Sequence, residues 1–364
     1  MKNIAAILFL TAFLCTPASG AQFEKVSSHT GPAVAVSVSR SLPSLLTAGS
    51  DGAVSLFGRS VEMTNGIIHG SMVSTGDLSQ NGRFAATASP DGSVKLWDAS
   101  SGALIKTLLA SGHYVFSCAF SHDSALLATA GAEIMLWDTA SFNRHKTIKP
   151  QTPSRAAVFS PDNSYFAFSS GREIFIWSLS SNKLLSLITR GRSPELKKAR
   201  QFSHHLLINA LSFSSDSQYL VSAGEEGVIS CFRTEDGYRL WRSAVTGTQI
   251  RALLFLKDNN IVLAAGTGGL IYIHDSRTGK INGSIGPLPA SVNSLAFYEK
   301  KSELYAACAD GGVYRIKTSY KAPFYVKNNF LITAGLIFLA LLFSALVLYV
   351  ISAFRDKSVK DWKP

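Results

Sequence analysis

The chain has 364 residues, 46% of them hydrophobic and only 16% charged, with a formal net charge of +11. That much apolar material supports a full core and excludes a disordered, highly charged chain. The positive charge permits anionic partners, but the Lys and Arg residues are scattered through loops without the stripe of a nucleic-acid reader, so no nucleic-acid partner is expected.

Residues 1–21 begin Met1-Lys2-Asn3, run through apolar residues from Ile4 to Cys15 and end in small residues up to Ala21. One positive charge, an apolar stretch too short to span a bilayer and a small-residue end match a secretory signal peptide. Export of the following chain is the expectation. The remaining cysteines, Cys118, Cys231 and Cys308, lie far apart in apolar text with no Cys-x-x-Cys spacing. They read as small buried hydrophobes rather than a disulfide framework.

From residue 22 onward the text repeats. The segment Asp91-Gly92-Ser93-Val94-Lys95-Leu96-Trp97-Asp98 is echoed six times, with its penultimate position falling at Phe57, Trp97, Trp137, Trp177, Phe232, His274 and Ile316. A second column, Val38, Leu78, Phe120, Phe159, Phe213, Phe255 and Phe297, precedes the first by 17 to 19 residues. Polar turns such as Phe159-Ser160-Pro161-Asp162 follow the second column, giving a meander with hairpin chemistry at each corner. Units of this length cannot bury their apolar faces alone, so neighbours stack, and seven close into a ring. The last unit stops after its third strand, near Tyr314 to Ser319. Phe23 to Ser27 is therefore expected to pair against it and remove an exposed sheet edge.

These residues resemble the WD-repeat family, whose blades carry a Gly-His near the start and a Trp-Asp at the end. Gly112-His113 precedes Trp137-Asp138 by the family's usual distance, and a reversed His69-Gly70 precedes Trp97-Asp98. The resemblance covers 22–323 and implies an all-β, seven-bladed propeller of four-stranded antiparallel blades. The other five units read Phe57-Gly58, Trp177-Ser178, Phe232-Arg233, His274-Asp275 and Ile316-Lys317, a departure that bears on function more than on fold. In the family a His, a Ser or Thr, an Asp and a Trp form a hydrogen-bonded network inside a blade. The resemblance implies that His69, Thr87, Asp91 and Trp97 reproduce it in the second unit. His113, Trp137 and Trp177 occupy the same structural columns in later units. His274 reads as a half-buried core residue rather than a metal ligand.

Between the fourth and fifth units the spacing rises from 40 to 55 residues, and the extra text, 189–205, is the most charge-biased part of the exported region. Arg190, Arg192, Lys197, Lys198 and Arg200 are candidate partner-binding residues for an acidic protein face or anionic lipid headgroups. A solvated loop is the plainer reading. His204-His205 has no nearby Cys or carboxylate and makes a weak metal site. After a linker at 324–329, residues 330–354 carry no charge. At 1.5 Å per residue they cross a hydrocarbon core of about 30 Å as a single C-terminal transmembrane helix. The tail, 355–364, is basic, so the positive-inside tendency places it in the cytoplasm and the propeller outside.

No Gly-x-Ser-x-Gly elbow, His-Glu-x-x-His, phosphate loop or haem attachment motif occurs. Gly266-Thr267-Gly268-Gly269 fills a turn slot, and Asp123, Asp162, Asp216 and Asp258 recur at matching turns where they cannot converge on one site. No enzyme, cofactor, metal or small-molecule substrate is expected. The resemblance implies a membrane-tethered scaffold whose propeller, periplasmic in a bacterium, assembles exported or membrane proteins. A specific version is an accessory subunit of a respiratory complex. Two other classes stand beside it. One is a small-GTPase exchange factor of the endoplasmic-reticulum coat-assembly type, which is similar in layout but argued against by residues 1–21. The other is an enzyme using the central channel.

Overall fold

The computed structural model describes residues 22–39, 44–58, 63–110, 114–179, 196–198, 204–256 and 260–317. They form 28 strands in seven four-stranded antiparallel sheets. Blade one spans 33–68, blade two 75–109, blade three 115–148, blade four 157–198, blade five 208–244 and blade six 250–285. Blade seven combines 292–317 with the N-terminal strand Gln22–Ser28, which pairs antiparallel with Gly312–Lys317 from Gln22↔Lys317 to Ser28↔Gly312. The expected closure is therefore present. Glu24 and Arg315 form an ion pair across it, and Arg315 also meets Glu303 at 3.5 Å.

Alternation alone makes each strand, and stacking decides how deeply it is buried. In Ser93–Asp98, Val94 and Leu96 point into one gap while Lys95 and the Trp97 ring turn to the other face. Both faces of a blade meet neighbours, so second strands such as Leu126–Gly131 are buried throughout, whereas the outermost strand Leu104–Leu109 is exposed except at Leu108. The buried apolar side chains fall into seven clusters, one in each gap between blades. This arrangement explains the ring column. Trp97, Trp137, Trp177, Phe232 and Ile316 each fill the gap between their own blade and the preceding one.

The turns named in the sequence act as expected. Ser121, Ser160 and Ser214 donate to Asp123, Asp162 and Asp216, whose carboxylates accept backbone N–H groups two residues on. Ser124, Asn163 and Ser217 adopt left-handed φ at these turns, and their side chains accept from the backbone of the preceding blade. Asp258 and the segments 1–21 and 318–364, including the linker, the span 330–354 and the tail, lie outside the described residues. No helix among the described residues is long and apolar enough to cross a membrane.

Part of the text read as an insertion between blades four and five is structural. Leu196–Lys198 is the outermost strand of blade four, pairing Trp177↔Leu196 and Phe175↔Lys198. The extra length therefore falls inside blade four, before its last strand, because a blade missing that strand would leave Glu173–Ser178 as an open edge. Cys118, Cys231 and Cys308 are free and buried, and burial pushes the last two thiols up to about 12. They are unreactive at neutral pH.

One half-buried carboxylate links blades one, two and three. Asp77, on the first strand of blade two, accepts from the Ser37 hydroxyl of blade one at 2.7 Å, from the Phe120 N–H of blade three at 2.8 Å and from its neighbour Leu78 at 2.9 Å. Burial pushes its pKa up to about 6, against the pull of those three donors.

Candidate protein-interaction face

In blade two, hydrogen bonds run through Trp97, Thr87, His69, Ser93 and Asp91, Ser93 being a link absent from the family pattern. Trp97 Nε1 lies 2.9 Å from Thr87 Oγ1, Thr87 Oγ1 2.8 Å from His69 Nδ1, His69 Nε2 3.0 Å from Ser93 Oγ, and Ser93 Oγ 2.6 Å from Asp91 Oδ1. An indole N–H only donates and a carboxylate only accepts, which fixes the direction of the whole chain. Thr87 donates to Nδ1 of a neutral His69, and the Nε2–H donates to Ser93. Burial first, and then the Lys95 charge, hold His69 near 4, so it is neutral at physiological pH. Thr87→Val keeps the shape but leaves Trp97 Nε1 and His69 Nδ1 unpaired in the core. We expect a loss of about 2–3 kcal/mol in denaturant unfolding, whereas Thr87→Ser should lose less than half of that.

Two further blades build the same device. His29 Nε2 bonds Thr47 Oγ1 at 3.1 Å and its Nδ1 stands 3.5 Å from Asp51. His204 Nε2 bonds Ser222 Oγ at 2.8 Å, and Nδ1 bonds Glu226 Oε1 at 2.6 Å, with Arg242 on the far side of Glu226. His204 is thus a buried core residue with a carboxylate partner. Its signal was a constant interval: in all three blades the imidazole precedes the hydroxyl by 18 residues. Elsewhere the network is partial. Trp137 Nε1 donates to Thr129 Oγ1 at 3.1 Å, and His113 lies outside the described residues. Trp177 is a correction: its Nε1 meets no acceptor among the described residues, because Ser169 Oγ already accepts the N–H groups of Arg155 and Ala156. Trp177 contributes packing, with Lys146 4.6 Å above its ring. His274 is fully rather than half buried, its Nδ1 3.1 Å from the carbonyl of Gly279 in the turn that follows its own strand.

These networks are scaffold; the variable chemistry lies at one mouth of the ring. Register shifts interrupt five first strands between Ala33 and Ala35, Val115 and Ser117, Ile208 and Ala210, Ile250 and Ala252, and Val292 and Ser294. Each bulge leaves one residue unpaired and re-aims its side chain. These residues are Val34, Phe116, Asn209, Arg251 and Asn293, and Ser74 and Arg155 hold the matching positions in blades two and four. The bulge crowds the second strand: a Cβ on Gly131, Gly224 or Gly266 would lie within 2.2 Å of the carbonyl oxygen of Tyr114, Leu207 or Gln249. Only glycine fits there.

Six of the seven positions form a collar with links between blades, while Val34 packs against the cluster between blades one and two. Arg155 Nη1 donates to Asn209 Oδ1 at 3.0 Å and to Glu225 Oε1 at 2.6 Å, and Asn209 Nδ2 donates to the Ile250 carbonyl at 3.2 Å. Arg251 Nη1 donates to Asn293 Oδ1 at 2.8 Å, Asn293 Nδ2 to the Ala33 carbonyl at 2.9 Å, and Ser74 Oγ to the Val115 carbonyl. On blade three Phe116 stacks on the half-exposed Tyr114 with centroids 4.3 Å apart, and the Arg155 guanidinium lies 5.8 Å from the Phe116 ring. A pre-ordered ring of arginine, amide and aromatic groups at a solvent-facing mouth is what interface hot spots are made of.

Of the basic candidates, Arg190, Arg192 and Arg200 lie outside the described residues, and Lys197 and Lys198 are placed only as backbone of the blade-four edge strand. None of the collar residues was singled out in the sequence. Among the described residues no group of three or more His, Cys, Asp or Glu could hold a metal.

A family model described as "WD domain, G-beta repeat" matches residues 66–98, 102–138 and 196–233. Each begins on or just before the outermost strand of one blade and ends on the third strand of the next. The repeat and the blade are thus offset by one strand, the offset that Gln22–Ser28 completes in blade seven. Among similar proteins, Autophagy-related protein 16 of Arabidopsis thaliana is 26% identical over 240 residues, covering 63% of this chain and 44% of that protein. The guanine nucleotide-binding protein subunit beta of Saccharomyces cerevisiae is 24% identical over 225 residues, covering 58% and 50%. Nuclear distribution protein nudF of Aspergillus niger is 25% identical over 174 residues, covering 45% and 39%. The chain spans half or less of the length of these relatives. Repeat matches, sheet topology and ring closure agree: the chain carries WD40 repeats folded as a seven-bladed β-propeller.

Proposed function

We propose that the protein is a membrane-tethered WD-repeat scaffold that presents its propeller on the extracytoplasmic, periplasmic side and assembles a membrane-associated complex by binding protein partners. The observation that carries the binding role is the collar. Core columns and turns repeat from blade to blade, while the seven matching positions carry five different residue types, Val, Ser, Phe, Arg and Asn, at a solvent-accessible mouth. In this reading the propeller binds and does not catalyse, and one form of the role is an accessory subunit of a respiratory complex whose partners hold the cofactors. One relative, by its name, is itself a subunit of a larger protein.

The tether rests on the uncharged run 330–354 with a basic tail behind it, and the side of the membrane on the 1–21 segment together with that tail. Confinement to a plane raises the effective concentration of partners in the same membrane, which favours a scaffold over a free binder. Carbonate-washed membranes should retain the intact chain and release a version ending at Lys317. Protease added outside sealed spheroplasts should digest the propeller. A chain that washes off, or a propeller protected until the membrane is broken, would overturn the tether or its orientation respectively.

A further inference from the structure

We propose that the collar is a receptor for a carboxylate on an acidic protein segment, with Arg251 as the group that takes it. This rests on the scaffold reading and names the chemistry of its partner. Arg155 and Arg251 occupy the same position two blades apart, yet their charges are handled differently. Arg155 is half-buried and already paired with Glu225 at 2.6 Å. Arg251 is exposed, and among the described residues its polar contact is the neutral Asn293 amide at 2.8 Å, with no carboxylate beside it. That amide is itself held by the Ala33 carbonyl across the closure between blades seven and one.

Arg251 is therefore a guanidinium aimed by a bulge, steadied on one N–H by a fixed amide, with its remaining donors turned to solvent. Such a fork matches a carboxylate with two parallel N–H···O bonds, and holding it in place beforehand removes much of the ordering cost of binding. A phosphate dianion fits less well. It calls for converging cations, whereas the other collar arginine is neutralised by Glu225 and the neighbouring Asn209 and Asn293 are uncharged amides held on backbone carbonyls. The exposed Tyr114 stacked on Phe116 supplies an apolar anchor on the opposite part of the collar for the residues flanking the acid.

The test uses the full chain in mild detergent at low salt, with an acetylated hexaglutamate peptide as probe and hexaglutamine as control, followed by calorimetry or anisotropy. We expect hexaglutamate to bind and hexaglutamine not to. Arg251→Ala should weaken binding at least about tenfold, Arg251→Lys by less, and Arg277→Ala, an exposed arginine at the other end of the blades, should leave it unchanged. Unchanged unfolding midpoints for the three variants exclude a folding effect. Equal affinity of wild type and Arg251→Ala, or equal losses for Arg251→Ala and Arg277→Ala, would overturn the carboxylate site. Affinity isolation from solubilised membranes separates the two readings. If both wild type and Arg251→Ala bring down the same partners, the carboxylate site falls and the scaffold stands; if wild type brings down none, the scaffold itself falls.

Discussion

Deleting Gln22–Ser28 from the full chain should cost at least about 4–6 kcal/mol, the largest effect expected of any short change, because six residue pairs across the closure are lost at about 1 kcal/mol net per backbone hydrogen bond. The apolar cluster between blades seven and one loses Val26, and Gly312–Lys317 becomes an open edge. The measurement is thermal unfolding of the deleted chain with and without a synthetic peptide of the sequence QFEKVSS. The peptide should raise the midpoint in a concentration-dependent way, since a ligand that binds only the folded state stabilises it. A scrambled peptide of the same composition should not. A deleted chain that melts like wild type would show that the ring is held shut by the gap clusters alone.

Asp77→Ala should be the most damaging point substitution on the inner ring, and its cost should depend on pH in an uncommon direction. The folded-state pKa near 6 lies above the ordinary carboxylate value of 3.8. Asp77 therefore contributes stability that is fully present below about pH 4 and is lost as pH rises through 6, by about 2–3 kcal/mol. Protonated Asp77 suits its site, since the Ser37 hydroxyl that donates to it can instead accept its proton. Asp77→Ala removes the acceptor of Ser37 and Phe120 at every pH and leaves Leu78 only the Ser37 hydroxyl, at about 3 kcal/mol. The penalty relative to wild type should be largest at about pH 4 and clearly smaller at pH 7.5. His69 has the opposite slope, losing stability as pH falls below 6.5 toward 4, but it is common to both proteins and cancels in the difference. A penalty that grows with pH would mean that the three donors outweigh burial and hold Asp77 ionised throughout.

The fold was open to reading because its columns recur at matching steps. Phe120, Phe159, Phe213 and Phe255 all end first strands and are all buried, and an apolar residue there has no alternative place. The closing strand was legible for the same reason, as a unit left one strand short. The networks of blades one and five were less legible, because Phe57 and Phe232 stand where the Trp would be and Glu226 replaces the Asp in blade five, although the 18-residue interval is kept. The collar could not be read at all. A bulge adds one residue to a strand, so an alternation of period two assigns the following side chains to the wrong face. Moreover, Val34, Ser74, Phe116, Arg155, Asn209, Arg251 and Asn293 share a place and no single residue class. The blade-four edge strand was misplaced because Leu196-Lys197-Lys198 has the composition of a solvated loop, and only its pairing with Phe175–Trp177 makes it a strand.

Glu24 and Arg315, which face each other across the closure, are 291 residues apart in the chain. A ribosome adding about 5–20 residues per second makes the first of these strands roughly fifteen to sixty seconds before the second. Throughout that interval the earlier strand has no native mate. Protection of the newborn chain during that wait, rather than the speed of any single blade, should govern how much of this protein matures.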